Sequence, residues 1–170
     1  MLIIGENQVS ENIYQSDTTI VYRARNRTTN KSVIIKKIAQ ENISESQRQR
    51  FIKEYRMLSS IDSENVVKAG QFIDYDDVLA FEMEDFYGKP LTRYIDNNKL
   101  KIGWFLERAI ELTAILGSLH RKNIVHKNFT PENILYNSTT NQLKVIDFGL
   151  AEELIDMTAL PVCTVLEGSL

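Results

Sequence analysis

The sequence is poor in cysteine: Cys163 stands alone among 170 residues. That excludes an internal disulfide framework and fits a reducing compartment. Long apolar runs are also missing. None approaches the roughly 18–20 residues that a membrane-crossing helix requires, so no membrane span is expected. The opening residues, MLIIGENQVSEN, carry neither a basic n-region nor an extended apolar h-region. No secretory signal is therefore expected, and the cytoplasm is the expected location. Positive charge is not in excess: 20 Lys and Arg face 23 Asp and Glu, for a net charge of -3. Nucleic-acid binding usually shows as a concentrated basic surface, so no nucleic-acid partner is expected. There is no repeat of fixed period and no low-complexity tract.

What remains is the composition of an ordinary folded domain, 43% hydrophobic and 25% charged, long enough to bury a real core. Ile20, Tyr22 and Ala24 alternate with Val21 and Arg23. The Asn- and Thr-rich stretch 26–31 follows, and then the β-branched run Val33-Ile34-Ile35. This pattern predicts a β-hairpin. Ser44 followed by Gln47 has the form of a capping box, and Phe51, Ile52, Tyr55 and Leu58 recur at helical spacing. A helix over about 45–60 is predicted. Strands are predicted over 66–73 and 78–83, with a turn at Tyr75-Asp76-Asp77.

At Phe86-Tyr87-Gly88-Lys89-Pro90 the pattern breaks. We place a domain boundary there, with a strand-rich part over 1–86 and a mainly helical part over 87–170. Residues 91–97 read as a short helix and 102–122 as a long one. Phe105, Leu106, Ala109, Ile110, Leu112, Ile115, Leu116 and Leu119 give the long helix a wide apolar face that needs cover on most sides. An irregular stretch over 123–133 leads into a hairpin with strands at 134–136 and 143–146. The tail from Gly149 has no clear period.

The chemistry concentrates in HKNFTPENILYNSTTNQLKVIDFGLA, residues 126–151. It resembles the catalytic loop and metal-binding segment of protein kinases, H-R-D-L-K-P-E-N-I-L followed by D-F-G. The resemblance implies an α+β, protein-kinase-like fold with a truncated C-terminal lobe and a hinge at about 83–87. It implies ATP and Mg²⁺ as cofactors, with Asn133 and Asp147 as the metal ligands. Hard cations take oxygen donors, and a carboxylate and an amide on adjacent loops can hold Mg²⁺ against phosphates.

Val33-Ile34-Ile35-Lys36 resembles the family's V-A-I-K strand, whose lysine contacts the nucleotide phosphates, and Glu54 resembles the helical glutamate that pairs with it. Lys37 is the register alternative. Taken singly, a strand-end lysine and a helical glutamate are usually solvated surface groups; their order relative to Asn133 and Asp147 singles them out. Phe81-Glu82-Met83-Glu84-Asp85-Phe86 resembles the gatekeeper and hinge. It implies Met83 as gatekeeper and the backbones of Glu84 and Phe86 as the groups that read the adenine edge. Narrower wording, in Met83-Glu84-Asp85-Phe86 and Ile124-Val125-His126-Lys127, is similar to the N-terminal kinase-like domains of large bacterial signalling proteins. A protein partner, or the remainder of such a protein, is expected on that ground.

The sequence departs from the family in four places. Tyr14, Ser16 and Thr19 stand at the three glycine positions of the phosphate loop, where glycine lets backbone amides approach phosphate. Hydroxyls of Ser16, Thr18 and Thr19 are the substitutes on offer. Asn128 stands in place of the catalytic Asp, and an amide cannot take a proton from the substrate hydroxyl. Loss of a general base typically costs about 10²–10⁴-fold in rate. Thr130 replaces a lysine that steadies the transferring phosphoryl group, so a positive charge is missing where negative charge is held. Finally, Leu170 falls near the end of the family's activation-loop region, which leaves the face at 105–119 expected to be partly uncovered.

Three functional readings stay open. One is a nucleotide-binding, weakly active or inactive kinase-like module with a signalling role. Another is an active Ser/Thr kinase domain, or a piece of one. The third is a protein-binding remnant that takes no nucleotide. Thr158, Thr164 and Ser169 are candidate phosphorylation positions, although ordinary loop hydroxyls are the simpler reading. Cys163 reads as an inert small apolar residue, and His120 and His126 read as structural.

Overall fold

The structure is a computed structural model that describes residues 1–39, 43–75, 78–97 and 99–154. The turn at Asp76-Asp77, Cys163, and the hydroxyls of Thr158, Thr164 and Ser169 lie outside the described residues. Two compact units are present. One comprises Met1–Asp62 and Val67–Phe86; the other comprises Ser63–Val66 and the chain from Tyr87 onward.

In the first unit the strands are β1 (Ile3–Ile4), β2 (Asn7–Gln15), β3 (Thr19–Asn26) and β4 (Ser32–Ile38). Helix α1 (Glu45–Ser60) follows, and then β5 (Ala69–Tyr75) and β6 (Val78–Glu84). They form one six-stranded antiparallel sheet in the order β1-β2-β3-β4-β6-β5. Strand alternation separates two faces. Ala24, Ile35, Ala80, Ile73 and Ile4 cluster on one of them, with Tyr22, Val33 and Val78 packed alongside. The opposite face carries Val21 and Arg23 of β3, Ile34 and Lys36 of β4, and Phe81 and Met83 of β6, paired in register across the strands.

Helix α1 covers that second face. Its start is closed by a full capping box between Ser44 and Gln47, and it buries Phe51, Glu54 and Leu58. The Phe51 and Tyr55 rings pack on Phe81 at 5.0 and 5.6 Å, and Tyr55 also meets Phe72 at 4.8 Å. Gly70 sits where the β5–β6 register shifts, and a Cβ there would come within 2.9 Å of the Glu82 Cβ. Only glycine permits that approach.

Two differences from the sequence expectation concern this unit. Strands β1 and β2 were not anticipated. β2 reads NQVSENIYQ, is mostly exposed, and shifts register against β3 between Val9 and Glu11 and again between Asn12 and Tyr14. Such bulges erase the period-2 signal that sequence reading relies on. The run expected as a strand over 66–73 instead begins its ladder at Ala69. Val66 is buried in the second unit, where it bridges Val145.

The second unit contains β7 (Lys89–Pro90), α2 (Leu91–Asn97), α3 (Ile102–His120), β8 (Ile124–Val125), a 3₁₀ turn at Pro131–Asn133, β9 (Ile134–Asn137), β10 (Gln142–Val145) and β11 (Glu152–Glu153). β9 and β10 form the expected hairpin, with β7 on its outer edge, and β11 pairs with β8. The Val145 amide donates to the Asn65 carbonyl at 2.8 Å, which ties 63–66 to the hairpin.

Helix α3 ends at His120, two residues before the expected stop. The Arg121 amide returns to the Gly117 carbonyl, and Asn123 adopts a left-handed φ of 59° that turns the chain away. Ile115 and Leu119 are buried, whereas Ile102, Phe105, Leu106 and Ile110 are exposed. The wide apolar face is thus only partly covered among the described residues. A compact aromatic group stiffens the base of the hairpin: Tyr94 stacks on Trp104 at 4.9 Å and meets Tyr136 edge-on at 4.7 Å. The buried Arg108 guanidinium lies 6.0 Å from both the Trp104 and Tyr136 rings and donates to Asn141 Oδ1 at 2.8 Å.

Candidate functional site

The residues singled out by sequence fall in both units, and each group is built by its own local structure. In the first unit the alternation of β4 decides between the two neighbouring lysines. Lys36 lies opposite Phe81 on the face covered by α1, and Lys37 lies on the other face. Three residues after Phe51, on the same buried face of α1, Glu54 receives it: Lys36 Nζ stands 2.5 Å from Glu54 Oε1. Both side chains are largely buried, at 14% and 8% exposure. A buried pair of this kind holds a cation in a fixed place, and either partner left alone would be an uncompensated charge.

The segment 84–86 closes β6. The Glu84 amide donates to the Lys68 carbonyl at 3.0 Å, while the Glu84 carboxylate accepts the Lys68 amide at 3.0 Å. Sequence reasoning gave Asp85 no role. Its carboxylate is 2% exposed and accepts from Arg23 Nε at 2.8 Å and from Ser32 Oγ at 2.7 Å. Arg23 also reaches Glu11 Oε2 at 2.6 Å. The hydrogen bond that Arg23 donates to Asp85 leads the effects that raise the Arg23 pKa above its ordinary value, ahead of the opposing cost of burial.

At the turn between β2 and β3 the hydroxyl of Ser16 is turned inward. Its Oγ accepts the amides of Thr19 at 3.1 Å and Thr18 at 3.4 Å, and the Ser16 amide donates to the Thr19 carbonyl at 2.9 Å. A side-chain oxygen thus satisfies the backbone donors that a glycine loop would present outward. This differs from the expectation that Ser16 supplies a hydroxyl in place of glycine.

In the second unit the loop after β8 is held by His126. It is buried, and its Nε2 lies 3.1 Å from the Ile146 carbonyl while Nδ1 lies 3.3 Å from the Asn128 amide. This pairing assigns the proton to Nε2, which donates, and leaves Nδ1 as acceptor. Burial, opposed by the Ile146 carbonyl and by Asp147, pushes the His126 pKa below its ordinary value. The Phe148 ring packs edge-on against His126 at 4.7 Å and is itself buried.

His126 thereby shapes the residues beside it. Asn133 donates from Nδ2 to the Asn128 carbonyl at 3.0 Å, and the Thr130 amide donates to the same carbonyl at 3.0 Å. The Asn133 amide nitrogen is turned to Asn128, so its oxygen lies on the opposite side of the amide group. Asn128 points its own Nδ2 at Asp147 Oδ2 from 3.5 Å, a long contact. The structure therefore brings Asn128, Asn133 and Asp147 together. Thr130 makes no side-chain cap bond to the turn at Pro131–Asn133.

Lys127 and Asp147 have left-handed φ values of 60° and 64°. Non-glycine residues in that region cost roughly 1 kcal/mol or more each and concentrate at functional sites. Lys127 also pairs with Glu152 at 2.8 Å, an ion pair between β11 and the loop that sequence reasoning did not foresee. No group of three or more His, Cys, Asp or Glu side chains among the described residues could hold a metal. A cation here would rest on Asp147, an amide oxygen, and oxygens brought by a ligand, which is the habit of Mg²⁺ with phosphates.

One unit thus carries a glutamate-paired strand lysine, and the other an Asn–Asp pair on a histidine-braced loop. A family model described as protein kinase domain matches residues 8–168. The chain belongs to that family. It is similar to cyclin-dependent kinase 1 of Encephalitozoon cuniculi (strain GB-M1), at 29% identity over 84% of this chain and 49% of that protein. It is also similar to the serine/threonine-protein kinase ATG1a of Arabidopsis thaliana, at 27% identity over 89% of this chain and 25% of that protein. The chain thus spans about half and a quarter of the lengths of these relatives. No helix among the described residues is long and apolar enough to cross a membrane.

Proposed function

We propose that this protein kinase domain binds ATP with Mg²⁺, transfers phosphate weakly or not at all, and acts in signalling through a protein partner. In this reading Lys36, held by Glu54, meets the nucleotide phosphates. Asn133 and Asp147 hold Mg²⁺, whose charge would draw the phosphate oxygens into place. The backbone of Glu84 and Phe86 reads the adenine edge.

One observation carries the proposal: at Asn128 a hydrogen-bond donor faces the Asp147 carboxylate. An amide there orients its neighbours but cannot accept a proton from an attacking hydroxyl. Thr130 brings no positive charge to offset the loss. The Ser16 turn, with its amides already satisfied, predicts a looser hold on the phosphates than a glycine loop gives.

An active serine/threonine kinase is the second reading, favoured by the formed Lys36–Glu54 pair and the kinase names of the relatives. A thermal-shift titration with ATP and Mg²⁺ tests the first. Anything binding the native state at about 100 times its Kd adds roughly 2.7 kcal/mol of stability. A clear rise in Tm is expected, and no rise at millimolar nucleotide would sink the nucleotide reading.

A further inference from the structure

We propose that Asp85 is a positioning residue for the nucleobase, locked so that the backbone of 84–86 is presented in one conformation. The inference rests on the reading of this chain as a nucleotide-binding domain and adds a residue to it.

β4 and β6 pair Val33 with Glu84 and Ile34 with Met83. Carried one residue further, that register sets Ser32 opposite Asp85. Ser32, Arg23 and Asp85 thus fall on the same sheet face as Lys36. The chain leaves the ladder after Glu84, and a segment just past a strand end is ordinarily free to sample several backbone conformations. Here it is not. The Asp85 carboxylate is almost fully buried, and one of its oxygens, Oδ2, takes both Arg23 Nε and Ser32 Oγ. Charge-assisted bonds of this length are among the stronger polar contacts a protein makes. Arg23 is in turn anchored by Glu11 of β2, directly opposite it in the β2–β3 register. Glu84 is pinned separately, through its amide and its carboxylate, to Lys68.

Two consecutive residues are therefore fixed to two strands, β3 and β4, and to the segment before β5. A ligand that hydrogen-bonds to backbone groups gains affinity when those groups need not be ordered on binding. The side chain of Asp85 faces Arg23 and Ser32, so its contribution to ligand binding runs through the backbone and not through contact with the ligand.

The test uses the full chain and three probes: ATP with Mg²⁺, adenosine, and inorganic tripolyphosphate with Mg²⁺. Asp85→Ala is expected to weaken ATP and adenosine about tenfold, the scale of one to two lost charge-assisted bonds, and to leave tripolyphosphate unchanged. Ser32→Ala, a milder change at the start of β4, is expected to weaken the same two probes by a few fold. It keeps the proposal testable if Asp85→Ala does not fold. Equal loss for all three probes in the folded variants would reduce Asp85 to a stability element and overturn the proposal. So would unchanged adenosine affinity in the folded variants of a wild type that binds ATP. A wild type that binds none of the probes would overturn the nucleotide reading itself, and this inference with it.

Discussion

The β4–α1 pair and the loop at 126–133 present two opposite solutions at positions of equal chemical consequence. In the first, Lys36 and Glu54 meet as opposite charges, shielded from water by the packing of Phe51 and Phe81. In the second, a neutral amide at Asn128 faces the Asp147 carboxylate, braced from behind by His126. The first arrangement is complete as a cation holder before any ligand arrives. In the proposed function the second serves as a scaffold, because the amide at Asn128 cannot take a proton from an attacking hydroxyl. Holding a phosphate and transferring one make separable demands on a site, and in the proposed function these two regions meet them unequally.

The comparison breaks most visibly if chemistry is restored on the deficient side. Asn128→Asp with Thr130→Lys is expected to raise phosphoryl transfer from ATP to a generic protein substrate by about 10²–10⁴-fold. Incorporation of labelled γ-phosphate would measure it. A change of less than about threefold in a folded double variant would mean the amide never limited the rate, which favours the active-kinase reading.

A smaller effect is expected on the completed side. Lys36→Met strands the Glu54 carboxylate in a largely buried site, and the expected loss is about 3 kcal/mol of stability, read by urea unfolding. Adding Glu54→Leu, which removes the stranded charge, should recover most of it. If Lys36→Met alone is neutral, the pair is solvated and holds nothing in place.

The smallest effect is one of pH. Folding lowers the His126 pKa from its ordinary value of 6.5, with burial as the main cause. The folded state thus resists protonation more than the unfolded chain does. Its contribution to stability is complete above about pH 6.5 and is lost as the pH falls through the lowered folded value. Protonation would also remove the Nδ1 acceptor used by the Asn128 amide. Unfolding curves between pH 7.5 and 5.5 should show stability falling with acid in the wild type and a shallower fall in His126→Gln. Parallel slopes would place the acid sensitivity elsewhere.

Much of the frame was legible before the structure. Ser44 and Gln47 mark the start of α1, and the hairpin at 134–145 follows from its β-branched runs and Asn-rich turn. The order of the motifs pointed to the family that the comparison then showed. What stayed hidden depends on distance in the chain or on irregular backbone. β2 exposes most of its length and bulges twice, so it has no period to read. β11 is two residues long and exists through its pairing with β8. Asp85 and Arg23 are 62 residues apart, and nothing local in either segment announces their contact. The inward turn of the Ser16 hydroxyl is a matter of local rotation, and the same residues could equally have faced outward.

In the proposed function the domain keeps its hold on ATP and Mg²⁺ while lacking the base for transfer. Calorimetric titration with ATP, in Mg²⁺ and then in chelator, tests it most directly when wild type and Asp147→Asn are run side by side. Saturable wild-type binding is expected, weakening at least tenfold in chelator and in Asp147→Asn, on the scale of a lost charged metal ligand. Equal binding by both proteins in Mg²⁺ and in chelator, or no binding at millimolar ATP, would contradict it.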